Sequence, residues 1–169
     1  KISLDKIDYI VPAESGLYTI GRAEIDARTQ TIADYVAELV EDGATIQLGI
    51  GALPDAIARN LMDKKDLGVH SETLTEAMME LVQAGVINNS KKTLNPGICI
   101  GAQAAGSEKF YEFIDHHPLF AVYPVDYVNN PYVVGQNYKQ TSINSCMEID
   151  LFGQVCSETI GPKNFSGAG

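Results

Sequence analysis

Basic residues are scarce. The 169 residues carry 12 Lys and Arg against 22 Asp and Glu, a formal net charge of −10 at pH 7. The basic runs are no longer than the pairs Lys64-Lys65 and Lys91-Lys92. That argues against a nucleic acid or an anionic membrane surface as partner, since both need a basic face. It leaves room for a small anion held by backbone N–H groups. Long hydrophobic runs are missing as well: no apolar stretch approaches the ~20 residues of a membrane helix, and the first residues do not read as a signal peptide. Cysteine is sparse and scattered, with Cys99, Cys146 and Cys156 forming neither a CxxC nor a Cys/His pair of metal-ligand spacing. No metal is expected, and a reduced, cytoplasmic compartment is the simplest reading.

What is present is the balance of a globular domain, 45% apolar and 20% charged. A chain of this length buries roughly 70% of its unfolded surface, enough for one core without staples. The start at Lys1 and the glycine-rich run Ser166-Gly167-Ala168-Gly169 suggest a segment of a longer polypeptide.

Hydrophobic periodicity organises the chain. Residues 1–28, punctuated by Pro12, Gly16 and Gly21, read as a linker. Ile32, Tyr35, Val36, Leu39 and Val40 then recur at helical spacing. Thr45 to Leu48 reads as a strand, 49–53 as a glycine-bearing loop, and Pro54 as the first turn of a helix. Leu67 to His70 predicts a second strand. Leu74, Ala77, Met78, Leu81 and Val82 predict a helix from about Thr73. Ile98–Ala104 and Leu119–Tyr123 read as further strands, separated by a helix that Ser107 caps. The alternation Ile143, Ser145, Met147, Ile149, Leu151 predicts one long strand, turned by Phe152-Gly153 into a hairpin. The expected fold class is α/β: a partly parallel sheet flanked by helices, with a C-terminal β-hairpin.

Four stretches could carry chemistry. The loop Gly49-Ile50-Gly51 follows a strand and precedes a helix, where close backbone approach and a helix dipole can hold an anion or an oxyanion. The same pattern also serves as a plain turn, and it lacks the third glycine and the acid of a dinucleotide fingerprint. His70-Ser71-Glu72 follows the next strand. His70 and Ser71 point apart there, so Glu72 is the candidate nucleophile or base; alternatively Ser71 is a helix cap and Glu72 a first-turn acid. The loop of Asp126, Asn129 and Asn130 offers side chains that could hold a carboxylate, or ordinary turn chemistry before Pro131. Glu148 and Asp150 share a strand face, which reads as solvent-facing acids before it reads as a catalytic pair.

At these residues the sequence resembles the acetyl-CoA hydrolase/transferase family, in its 4-hydroxybutyrate and butyryl-CoA:acetate CoA-transferase branches. Five motifs in order carry the likeness: Leu48–Ala56, Leu67–Glu72, Tyr123–Asn129, Ser142–Ser145 with Asp150–Val155, and Ser157–Gly161 with Phe165-Ser166-Gly167. The resemblance implies a middle segment. Residues 29–72 would end one CoA-transferase-type lobe, with its CoA loop, and 73–169 would begin the C-terminal acetyl-CoA hydrolase/transferase domain.

It also implies roles. Glu72 is the nucleophile and Asn129 orients it. Gly49, Ile50, Gly51, Ala52 and Leu53 contact coenzyme A, with the Ile50 N–H as oxyanion donor. A second oxyanion glycine would lie beyond Gly169. The implied reaction moves CoA between a short-chain acyl-CoA (acetyl-, butyryl- or 4-hydroxybutyryl-CoA) and a carboxylate through a glutamyl-CoA thioester. CoA enters as substrate, no metal is needed, and a homodimer is the implied working form. A thioester hydrolase on the same scaffold and a non-catalytic interaction domain are the alternatives; a nicotinamide-dependent dehydrogenase is a distant one.

Overall fold

The computed structural model describes residues 3–22 and 24–166; Lys1, Ile2, Ala23 and Gly167–Gly169, the last including the end of the fifth motif, lie outside the described residues. The fold is a mixed α/β structure built on parallel pairing. β1 (Thr45–Leu48) lies between β2 (Gly68–Val69) and β7 (Gln140–Ile143), parallel to both. The bridge His70↔Ile100 carries the array from β2 to β4 (Cys99–Gly101), which pairs in parallel with β6 (Phe120–Val122). Separately, β3 (Thr73–Thr75) pairs in parallel with β5 (Gln103–Ala105). Along the array the chain moves outward from β1 through β2, β4 and β6, then returns to the other flank of β1 as β7.

Among the described residues, six α-helices connect or cover these strands. α1 (Ala27–Leu39) starts where the Asp26 carboxylate accepts from Thr29 N at 2.7 Å. α2 (Ala52–Asn60) packs on α1 and follows β1 directly. α3 is Glu76–Gln83 and α4 is Glu108–Ile114, the latter capped by Ser107 as its sequence predicts. α5 (Val125–Val128) and α6 (Pro131–Val134) are single turns between β6 and β7. The main core joins Ile46, Leu48, Leu67, Val69, Leu74, Met78, Leu81 and Phe110, all at most 2% exposed. The chain closes with the antiparallel pairs β8 (Glu148–Ile149) with β9 (Val155–Cys156) and β10 (Thr159–Ile160) with β11 (Lys163–Asn164). The expected partly parallel sheet and C-terminal hairpin are both present.

Three local expectations are corrected. The stretch from Thr73 opens as a strand, not a helix: Thr73–Thr75 pair with Gln103–Ala105, and the helix starts at Glu76. Glu72 is therefore not a first-turn acid, and Ser71 caps nothing; its Oγ lies 3.4 Å from Leu48 O. On α1 the buried residues are Ala33 and Ala37, while Ile32, Tyr35 and Leu39 of the predicted stripe are 41%, 68% and 79% exposed. Small side chains let α1 approach α2 closely, and that contact sets the buried face. Finally, the long strand expected over 143–151 is interrupted: β7 ends at Ile143 and extended pairing resumes at Glu148–Ile149.

Small residues are required where strand meets side chain. A Cβ on Gly101 would lie 2.5 Å from Leu74 Cγ, and Leu74 is fully buried. Gly101→Ala in the full-length protein should therefore cost about 1–3 kcal/mol of stability by overpacking, measured by urea unfolding. An unchanged midpoint would show that Leu74 can shift freely.

Candidate active site

Parallel strands deliver their carboxyl ends to one edge, and ligands of open α/β sheets sit there, where the strand order reverses. In this chain that place is the carboxyl end of β1, between β2 and β7. β1 runs into Gly49-Ile50-Gly51, β2 into His70-Ser71-Glu72, β7 into Asn144, and β6, through α5, into Asn129. A cavity of about 900 Å³ opens among them; its walls include Gly49, Ile50, His70, Glu72, Asn129, Gln140, Asn144, Met147, Val155 and Glu158.

Glu72 is the exposed exception in an otherwise buried run, 67–75. Its backbone carbonyl accepts from Ala102 N at 2.8 Å and Gln103 N at 3.0 Å, which fixes the main chain under the side chain. Its Oε2 accepts from Asn129 Nδ2 at 2.7 Å. The residues 57 positions apart that the resemblance pairs as nucleophile and orienting group are thus in direct contact. Of the neighbouring candidates, Asn130 is used locally, its Oδ1 accepting from Tyr132 N at 3.0 Å to cap α6. Asp126 is exposed and outside the cavity wall.

The glycine loop is shaped for backbone approach. Gly51 has φ +124° and ψ −176°, a conformation open to glycine and strained for other residues. Gly49 N donates to Ile143 O at 3.0 Å, while the Ile50 N–H takes no acceptor among the described residues. Ala52 and Leu53 form the first turn of α2 behind the loop. Gln47 and Asn144 exchange two amide hydrogen bonds, both 2.9 Å, and lock the ends of β1 and β7 together.

Glu148 and Asp150 are not a catalytic pair. Glu148 Oε1 accepts from Gly161 N at 2.9 Å, and Asp150 Oδ1 accepts from Phe152 N and Gln154 N at 2.8 and 2.9 Å, which shapes the hairpin turn. Among the described residues no group of three or more His, Cys, Asp or Glu is placed to hold a metal, and all three cysteines are free.

Buried polar groups support the cleft from behind, and sequence periodicity gave no sign of them. Lys92, 5% exposed, donates from Nζ to Val69 O at 2.8 Å and Ile98 O at 2.7 Å, joining β2 to the start of β4. Asn89 Oδ1 accepts from Val69 N at 2.9 Å, and its amide nitrogen meets Cys99 Sγ at 3.2 Å. Burial pulls the Lys92 ammonium down from 10.5 to about 8 and pushes the Cys99 thiol up to about 11. His70, 1% exposed, is also lowered, by burial first and by Lys92, against the opposing bond to Val128 O. Residues 18–22 dock nearby: Tyr111 OH donates to Tyr18 O at 2.8 Å, Ile20 N to Gly106 O at 3.0 Å, and Arg22 pairs with Glu76 and Glu80 on α3.

Lys92 gives a pH prediction. Its folded pKa lies below its unfolded value, so the folded state sheds a proton that the unfolded chain keeps between about pH 8 and 10.5. The cost of burying its charge is full below pH 8 and is relieved as pH rises through that window. A neutral amine still has hydrogens for both carbonyls. Lys92 and the Cys99 thiol shift each other's titration, so the comparison belongs in a Cys99→Ala background, where the stability of the Lys92 protein relative to Lys92→Met should grow from pH 8 to 10.5. Paired urea titrations would read it; a constant or shrinking difference contradicts the burial argument.

The chain is similar to several known proteins. Residues 106–169 match the acetyl-CoA hydrolase/transferase C-terminal domain. Over 168 residues the chain is 49% identical to the 4-hydroxybutyrate coenzyme A transferase of Clostridium kluyveri, covering 99% of this chain and 39% of that protein. It is 33% identical to the butyryl-CoA:acetate CoA-transferase of Anaerostipes caccae, again over 99% of this chain and 39% of that protein. The crystal structure of the 4-hydroxybutyrate CoA-transferase from Porphyromonas gingivalis superimposes with a TM-score of 0.85 at 40% identity, over 91% of this chain and 39% of that one. RipA from Yersinia pestis superimposes with a TM-score of 0.88 at 37% identity, over 95% of this chain and 37% of that one. The chain thus spans about two fifths of the length of the relatives it matches. Residues 106–169 thus carry the C-terminal domain of the acetyl-CoA hydrolase/transferase family, and nearly the whole chain aligns with a segment of longer CoA-transferases.

Proposed function

We propose that the protein carrying this segment is a CoA-transferase that moves CoA between a short-chain acyl-CoA and a carboxylate, with Glu72 as nucleophile. The observation that carries this reading is the exposed Glu72 carboxylate, held at 2.7 Å by Asn129 on the wall of a cavity it shares with Gly49 and Ile50. Asn129 engages Oε2, which leaves Oε1 to attack.

In the first step Oε1 bonds to the thioester carbonyl carbon of the acyl-CoA. The C–S bond breaks, giving an acyl-glutamyl anhydride and CoA thiolate. The thiolate then attacks the glutamyl carbonyl carbon, the bond from that carbon to the bridging anhydride oxygen breaks, and the donor acid leaves as its carboxylate with that oxygen. Glu72 is now a CoA thioester. An incoming carboxylate attacks that thioester, releasing thiolate and forming a new anhydride; the thiolate attacks the new acyl carbonyl, giving the product acyl-CoA and free Glu72. Each step trades one acyl bond for another, so thioester energy is conserved. The Ile50 N–H is the proposed oxyanion donor, and Gly49 to Leu53 form the proposed CoA loop. One such donor is worth roughly 10²–10³ in rate.

Acetyl-, butyryl- and 4-hydroxybutyryl-CoA are the proposed donors, as in short-chain fatty acid metabolism. A reduced cytoplasm suits three free cysteines, and a homodimer is the proposed assembly. The reaction needs no metal.

Incubating the full-length protein with acetyl-CoA should leave a CoA-sized covalent adduct that peptide mapping places on Glu72. Glu72→Ala should lack the adduct and lose acyl exchange by several orders of magnitude. Steady CoA release that does not depend on added acetate would instead assign the site to hydrolysis.

A further inference from the structure

We propose that His70 is a positioning residue for the transfer reaction, holding Asn129, and through it Glu72, in the attacking geometry. This rests on the reading of Glu72 as nucleophile.

His70 Nε2 lies 2.9 Å from Val128 O. A carbonyl oxygen only accepts, so Nε2 carries the proton and Nδ1 presents a lone pair. That Nδ1 is buried and has no partner among the described residues. An unmet buried acceptor costs about 1–3 kcal/mol, so the imidazole is not simply a satisfied core group.

The bond it makes falls at a decisive place. Val128 O and Asn129 N belong to one planar peptide unit. Asn129 N donates to Val125 O at 2.9 Å, and Val128 O accepts from His70. Both polar ends of the plane are thereby tied, and the plane sets the direction from which the Asn129 side chain departs. Asn129 itself sits at φ −95° and ψ 8°, in the sparsely allowed bridge region that surrounding contacts must hold. α5, with only four residues, has little rigidity of its own.

The two segments are joined twice, in register. His70 reaches the carbonyl before Asn129, and Asn129 reaches back to Glu72, two residues beyond His70. Without the His70 donor the peptide unit can rotate, and the amide that aims Glu72 moves with it. A shift of about 1 Å in such a contact is worth as much as 10² in rate. Tyr127 packs beside the clamp, its ring 6.1 Å from the imidazole, with its hydroxyl accepting from Asn95 Nδ2 at 3.0 Å.

The test uses the full-length protein. His70→Phe keeps volume and removes the donor; His70→Gln places an amide N–H near the position of Nε2. With acetyl-CoA and butyrate, His70→Phe should lower kcat roughly 10–100-fold, His70→Gln should recover most of that loss, and both should melt as one cooperative unit. In an Asn129→Ala background, His70→Phe should cost little further, because the residue it positions is gone. An unchanged kcat in His70→Phe, or a loss of equal size in both backgrounds, overturns the proposal. Should His70→Phe fail to fold, nitrogen-15 NMR of the histidine-labelled wild type decides: a neutral ring protonated on Nε2 near pH 7 supports it, and a proton on Nδ1 overturns it. Acyl exchange that survives Glu72→Ala would remove the nucleophile reading itself, a result separable from any outcome at His70.

Discussion

The cleft depends on the parallel register of β1 between β2 and β7. Thr45 faces Gly68 on one side and Gln140 on the other, and Leu48 reaches Ile143. Because all three strands point the same way, the residues that follow them gather at one edge although they are far apart in sequence. Hydrophobic burial holds the strands, and Ile46 and Leu48, at 0% and 2% exposure, are the residues through which it acts on β1. A slip of one residue would turn those side chains outward. It would also move the glycine loop, the Glu72 segment and Asn144 out of line with one another.

Polar groups refine what the sheet makes approximate. Burial of an amine, an amide and an imidazole behind the strand ends is costly unless each finds a partner. Lys92 and Asn89 find theirs on the backbone of Val69 and Ile98. These contacts fix the β2 and β4 ends to within hydrogen-bond tolerance, tighter than apolar packing alone requires. The carboxylate at the edge is thus solvent-exposed on a main chain that is not free to move, a combination suited to a nucleophile that must meet an acyl carbon at a set distance.

Much of this was legible in the sequence. The alternation of strand and helix gave the α/β class, and the family resemblance of the ordered motifs implied that Asn129 meets Glu72, a contact the structure contains. The rest was hidden for physical reasons. Leu74, Ala77 and Met78 have helical spacing, but Thr73 and Thr75 are β-branched and find a ladder partner in the distant Gln103–Ala105 strand. Ala33 and Ala37 carry little hydrophobic signal, yet their small size lets two helices meet, so the larger residues beside them were turned outward. Beyond Ile143 the ladder with β1 stops, because Asn144 turns to Gln47, and pairing resumes only where Glu148–Ile149 meet Val155–Cys156. The roles of His70 and Lys92 are set by carbonyls tens of residues away, which no local pattern records.

The pairing of β1 with β7 also has a consequence in time. As the chain leaves the ribosome, Thr45 to Leu48 emerge with one neighbour, β2, close behind, while their other neighbour starts at Gln140. Roughly a hundred residues take about 5–20 s to synthesise. For that interval a short apolar strand keeps an unpaired ladder edge, open to any extended segment it meets. Non-local parallel pairing is slow in any case, since loop closure precedes its reward. The nascent chain is therefore most vulnerable to misassociation before β7 has been made, and a chaperone that shields β1 at that stage would protect the edge on which the whole cleft is later built.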